Sequence, residues 1–290
     1  GVCNPANGVC SSPARQDGQP CSDGDHCSVG ELCNDGLCGG GNLPLDSADW
    51  FQAGLSPGTS NALVYDSAGT LWLIASVTSQ NNSFGLTTQG APVTLQLPVG
   101  ASSGLVVVRF DASGHTRDAK LVAYSDAEIR LLDMPRTVPR FVPSILGGRL
   151  LVIAGVFSGE GFEANGASMG DVGEGRQGFI LAMRESDLGL DSPIIIKNPG
   201  GLSDPVVGIA PTGEILVAVR VASDALASIG TASFRAPIGQ EPTWFVYFSA
   251  TGSILWQRVL KGAGPAAGGR ATAIVMDANG AATLAGTWVG

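Results

Sequence analysis

Four acidic side chains, Glu160, Glu163, Asp171 and Glu174, stand among closely spaced glycines between Gly159 and Gly178. Hard carboxylate oxygens on a flexible loop suit Ca²⁺. These four are therefore the candidate ligands for an ion cofactor, set against the plainer reading of a solvated connecting loop, because a regular D-x-D spacing is missing. Gly166-Ala167-Ser168-Met169-Gly170 has the G-x-S-x-G spacing of a nucleophile elbow. That elbow needs a strand before it, a helix after it, and an acid and a His further along the chain. His26 and His115 both precede it, so the match reads as coincidence. The glycine cluster 262–269 lacks the Lys and Ser/Thr of a phosphate loop, and a strand pattern follows it. No residue is assigned a catalytic or organic-cofactor role.

Thiol chemistry is the other possibility. Cys3, Cys10, Cys21, Cys27, Cys33 and Cys38 are separated by 6, 10, 5, 5 and 4 residues, and the rest of the chain has no cysteine. The residues between them are mostly Asp, Asn, Gly, Pro and Ser, which make almost no core. A segment this short holds a fold only when disulfides or a metal restrict the unfolded chain. Zinc fares poorly: no C-x-x-C pair occurs, and His26 has no second His nearby. Disulfides are expected, with their pairing open among about 15 possibilities. They place the chain in an oxidising compartment, outside the cytoplasm or at the cell surface. The composition changes near Gly39–Asn42, so a disulfide-rich module at 1–42 is separated from a body at 43–290.

The elements that position these residues follow from repetition. One strand–turn–strand phrase occurs at Leu63–Val77, Gly147–Gly159, Val206–Val221 and Ala273–Gly290. A second alternates with it at Gly104–Val122, Gly178–Leu190 and Trp244–Leu260. The turn glycines Gly69, Gly148, Gly213 and Gly280 are spaced by 79, 65 and 67 residues, so each period holds two hairpins. Leu71–Val77, Leu150–Phe157 and Ile215–Val221 are apolar on both faces, as strands covered on two sides should be. Val106, Val108 and Phe110 alternate with Val107 and Arg109, which assigns that strand nearer an outer edge. The expectation is an all-β, β-propeller-like array of four-stranded antiparallel blades, about 3.5 units of it and so incomplete, or else closed into a four-bladed ring by the Trp50 strand joining the last hairpin, behind the disulfide-rich module. Trp50, Trp244 and Trp256 are assigned to packing between blades.

Bulk composition narrows the partners. The net charge of −9, with 16 Lys and Arg against 25 Asp and Glu, argues against nucleic acid, whose phosphates need clustered cations. No window is apolar enough to span a bilayer.

Two resemblances refine this. The run Pro20–Gly40 resembles the cysteine-rich "C-x-DG-x-x-C…C-x-x-G-x-C" repeats of secreted proteins from myxobacteria. The body resembles the SBBP-type bacterial β-propeller repeat, carried by Ala273, Val275, Asp277, Gly280, Ala285, Gly286, Trp288 and Gly290, by Ala154, Gly155, Phe157, Gly159, Phe162 and Gly178-Phe179, and by Gly252 and Trp256. The resemblance implies a secreted or cell-surface protein, without enzymatic activity, that binds protein or glycan partners through blade loops. The alternatives are a polysaccharide-acting hydrolase or lyase on a propeller scaffold, with its site largely outside this chain, and a structural spacer.

Overall fold

In a computed structural model of the chain, every described element is a β-strand. The structure describes residues 61–289 apart from 67, 79–80, 85–92, 112–115, 133–138, 145–146, 160, 165, 169–175, 192, 201–202 and 262–267, together with 2–3, 10–11, 32–34 and 37–39. In the first segment β1 (Val2–Cys3) pairs with β2 (Cys10–Ser11), and β3 (Leu32–Asn34) pairs with β4 (Leu37–Gly39).

The body repeats one plan. Strands β5 (Asn61–Tyr65) and β6 (Leu71–Val77) form a hairpin, a small hairpin β7 (Asn81–Phe84)–β8 (Val93–Gln96) intervenes, and β9 (Ser103–Phe110) and β10 (Thr116–Ser125) complete the meander β5-β6-β9-β10. A short strand β11 (Ile129–Leu131) leads to the second meander. It comprises β12 (Arg140–Pro143), β13 (Arg149–Phe157), the small hairpin β14 (Glu163–Ala164)–β15 (Ala167–Ser168), β16 (Gln177–Arg184) and β17 (Ile194–Lys197). The third has β18 (Val206–Ile209), β19 (Ile215–Arg220), the hairpin β20 (Leu226–Ile229)–β21 (Ala232–Arg235), β22 (Thr243–Phe248) and β23 (Ile254–Leu260). One more hairpin, β24 (Gly268–Met276)–β25 (Ala282–Val289), follows. All the pairings are antiparallel, and no described sheet closes on itself.

The meanders pack through apolar side chains that project from both faces of their inner strands. All seven residues of β6 are buried. Its Trp72 and Ile74 pack with Phe141, Leu151 and Phe179 of the second meander, while Leu71, Leu73 and Ala75 pack with Val106, Val108 and Phe110 on the other side. Between the second and third meanders, Leu150, Val152 and Ile180 meet Ile215, Val217, Trp244 and Val246. Full burial of each such side chain contributes about 1.5–3 kcal/mol, so these interfaces between sheets carry the fold. The doubly apolar runs of the sequence are the strands buried on two faces, as expected.

The phrase turns also form as their residues dictate. Gly69, Gly148, Gly213 and Gly280 have φ of 77°, 75°, 100° and 77°, the left-handed region that glycine enters without a Cβ clash. In two of these turns an Asp completes the bond pattern: Asp66 Oδ1 accepts from the Ala68 and Thr70 amides, and Asp277 Oδ1 from Asn279 and Ala281. Where Ser249 stands in the Asp position, its hydroxyl takes the same two roles toward Thr251 and Ser253.

One expectation changes. Strand β9 was assigned nearer an outer edge because Val107 and Arg109 alternate with Val106 and Val108, yet it is paired on both sides and buried on both faces save Arg109. The physical reason is that cores lie against both faces of the first meander, and Arg109 is accommodated by its own ion pair. Exposed strands of the body include β23, where Leu255 is 54% exposed, and β25; of the Trp residues assigned to packing between blades, Trp244 is fully buried but Trp256 is 38% exposed. Trp50 lies outside the described residues.

Candidate functional site

Two ends of the meanders gather polar chemistry. At the end where the third strands begin, Glu128 and Arg130 beside and within β11, Arg176 ahead of β16 and Asp204 ahead of β18 form a closed network. Arg130 meets Asp204 at 2.8 Å and Glu128 at 3.3 Å, and Arg176 meets Glu128 at 3.1 Å and Asp204 at 3.5 Å. Desolvation works against the Arg176 charge, but Glu128 and Asp204 outweigh it and the guanidinium holds its proton more firmly than usual. Two cations and two anions balance, so the network ties segments of successive meanders rather than presenting a net charge. Alongside it, the Asn198 amide donates to Gln177 Oε1 at 2.6 Å, Asn198 Nδ2 donates to the Arg220 carbonyl at 2.9 Å, and Arg220 pairs with Glu241 at 2.7 Å.

From the same end project two turns of matching design. Pro98-Val99-Gly100-Ala101 precedes β9 and Pro237-Ile238-Gly239-Gln240 precedes β22. Each closes with a backbone bond, Ala101 N to Pro98 O at 3.0 Å and Gln240 N to Pro237 O at 3.1 Å. Gly100 and Gly239 have φ of 91° and 76°, the conformation of the third residue in a type II turn. That geometry throws the second residue outward: Val99 is wholly exposed and Ile238 is 84% exposed. Single exposed aliphatics are ordinary; two at equivalent places in two meanders are a pattern. The signal was present in the sequence as Pro, a β-branched residue and Gly ahead of a third strand, but the strand phrases on either side drew attention away from it.

At the opposite end, Asp66 Oδ2 accepts a 3.0 Å bond from Trp72 Nε1, and Arg109 lies 5.1 Å over the Trp72 ring. Arg109 also pairs with Asp118 and donates to the Glu185 carbonyl at 2.6 Å. Burial pushes Asp66 up, but the bonds from Trp72, Thr70 and Ala68 together hold it below the usual carboxylate range. Burial, then the Asp66 charge, pushes Glu185 up. The signs are opposite. Stability from Asp66 is present above its unfolded pKa of about 3.9 and is lost as acid protonates it. Glu185 favours the fold when protonated, and that contribution is lost as pH rises above its unfolded value of about 4.3. Glu185→Gln is therefore expected to raise the melting temperature near neutral pH and to leave it unchanged near pH 3. Parallel melts of both proteins across that range check it, and an equal shift at both ends would contradict the like-charge contact.

Of the candidate calcium ligands, Glu163 is described: the Tyr124 hydroxyl donates to its carboxylate, holding β14 against β10. Glu160, Asp171 and Glu174 lie outside the described residues, as does His115. Among the described residues no three His, Cys, Asp or Glu side chains group as a metal site. Ser168 ends β15, a two-residue strand of a small hairpin, and Met169 and Gly170 of the G-x-S-x-G match lie outside the described residues. The head hairpins set Cys3 opposite Cys10 and Cys33 opposite Cys38, while Cys21 and Cys27 lie outside the described residues. No described helix is long and apolar enough to cross a membrane. Comparison with protein-family models, curated proteins and solved structures finds no match.

Proposed function

We propose that the chain is an exported recognition protein, a β-propeller-like array behind a disulfide-stabilised head, which engages a protein partner through the turns ahead of the third strands. The observation that carries this is the outward Val99 and Ile238 on equivalent, conformationally fixed turns, beside an ion network whose charges are already neutralised. Loops held on a rigid sheet scaffold are where recognition resides. Aliphatic tips favour an apolar pocket on a protein over a glycan, which prefers aromatic platforms. The protein's charge of −9 disfavours acidic partners.

Burial of an aliphatic side chain contributes about 1.5–3 kcal/mol, so a variant carrying Val99→Asp and Ile238→Asp should lose at least about tenfold in affinity. Both positions are exposed, so its melting temperature should match the parent. Surface-protein arrays probed with parent and variant provide the measurement; equal capture by both would remove this site. The head is proposed to hold its six cysteines as disulfides, the Cys3–Cys10 and Cys33–Cys38 registers being of the spacing such bridges use. Thiol titration of the unreduced, unfolded protein should find none free, and six free thiols would withdraw the exported assignment.

A further inference from the structure

The small hairpins follow a rule that the strand phrases conceal. Hairpin β14–β15 lies between the second and third strands of the second meander, yet it pairs with the fourth strand of the first, matching Ala164 to Ala123 and Glu163 to Tyr124. Hairpin β20–β21 lies between the second and third strands of the third meander and pairs with the fourth strand of the second, matching Ile229 to Ile196 and Ser228 to Lys197. Each unit thus clasps the outer strand of the unit before it.

The equivalent outer strand of the third meander is β23. Register identifies the matching residue: Ala123 lies opposite Leu105, Ile196 opposite Gly178, and Leu260 opposite Thr243. In each case the next residue along the third strand, Val106, Phe179 or Trp244, sits in the core facing the preceding side. Ala123 and Ile196 are each 1% exposed beneath their clasps, whereas Leu260 is 43% exposed. Next to it, Ala271, Ile274 and Met276 of β24 pack on Leu216, Ala218 and Phe245, as the first strands of a following unit would. Strand β25 is exposed at every residue from Ala282 to Thr287. Between this hairpin and the third meander runs a cleft of about 310 Å³, walled by Tyr247, Trp256 and Arg258 on one side and by Ala282 and Leu284 on the other.

We infer that β23 and β25 form a strand-docking edge, whose occupant is a clasp hairpin and two antiparallel strands with the pattern of this same repeat. The reading rests on the array of units, not on any ligand. A second copy of the chain does not fit as donor, because a copy placed by the same rule would bring its own β5–β6 into the space that β24–β25 fill. The incoming strand pairs with β23 at Leu260, and its partners cover Trp256 and the cleft.

The test extends the whole chain after Gly290 with a copy of its own residues 222–261, which carry β20 to β23. The controls are a tail of the same composition in scrambled order and the unextended protein. Hydrogen exchange is followed in peptides covering residues 254–260 and 282–289, and light scattering reports assembly. The true tail should slow exchange in both peptides by at least about tenfold in a monomer, with the scrambled tail showing no effect. Slowing by both tails or by neither overturns the inference. So does an unextended chain that self-associates with β23 already protected. None of these readouts involves a binding partner, so failure here is separable from failure of the recognition surface.

Discussion

Trp72→Ala is expected to lower the free energy of unfolding by about 3–5 kcal/mol, the range for truncating a buried aromatic side chain. Trp72 is fully buried and stands where the first two meanders meet. Its ring lies edge-on to Phe141, with centroids 5.1 Å apart, so the loss removes contacts on both sides of the interface. The indole has a second task, donating to Asp66 at 3.0 Å. Trp72→Phe separates the two: bulk is largely kept, the donor is lost, and about 1.5–3 kcal/mol should remain as the cost of a bond to a charged acceptor. In an Asp66→Ala background that remainder should shrink, because the two changes share one interaction. Chemical denaturation of the four proteins gives the cycle. A full Trp72→Ala effect below about 1 kcal/mol would mean that this interface does not carry the fold.

The strands themselves were legible because their signals are local. Leu71–Val77 reads as apolar on both faces, and it is buried on both faces. Positive-φ glycines at the phrase turns follow from the same few residues, and the Asp side chains that complete two of those turns are visible in the spacing. Pairing over distance was not legible. Nothing in Glu163-Ala164 or Leu226–Ile229 announces that these short strands join the sheet of a neighbouring unit, since two to four residues carry no register information until both edges exist. The alternation around Arg109 misdirected the reading for a related reason. Periodicity reports one strand's preferences, whereas burial of both faces of β9 depends on what packs against each side of its sheet. The candidate surface was missed because Val99 and Ile238 look like ordinary strand-forming residues. Only the fixed turns around them turn them outward.

Gly155→Ala should cost about 1–3 kcal/mol although it adds a single methyl group, because the site has no room for one. Gly155 lies in β13, paired with Phe179 on one side and with Leu131 on the other. A Cβ there would stand 2.5 Å from the Arg130 carbonyl oxygen and 2.6 Å from Phe179 Cε1, with Phe179 Cζ closer still. The ring is not free to swing away: Phe162 stacks on it at 5.5 Å between centroids and on Phe157 at 4.0 Å. Two obstacles of different kinds are present, one a side chain and one the backbone of β11. Phe179→Leu alone should destabilise by removing a buried ring, but combined with Gly155→Ala it should cost less than the sum of the two, since the smaller side chain relieves half of the clash. Strict additivity would show that the ring already yields to the new methyl. The remaining deficit belongs to the Arg130 carbonyl, which no side-chain replacement relieves. It should appear as faster amide exchange in β11, the strand that leads from the first meander to the second and carries Arg130 into the ion network with Asp204.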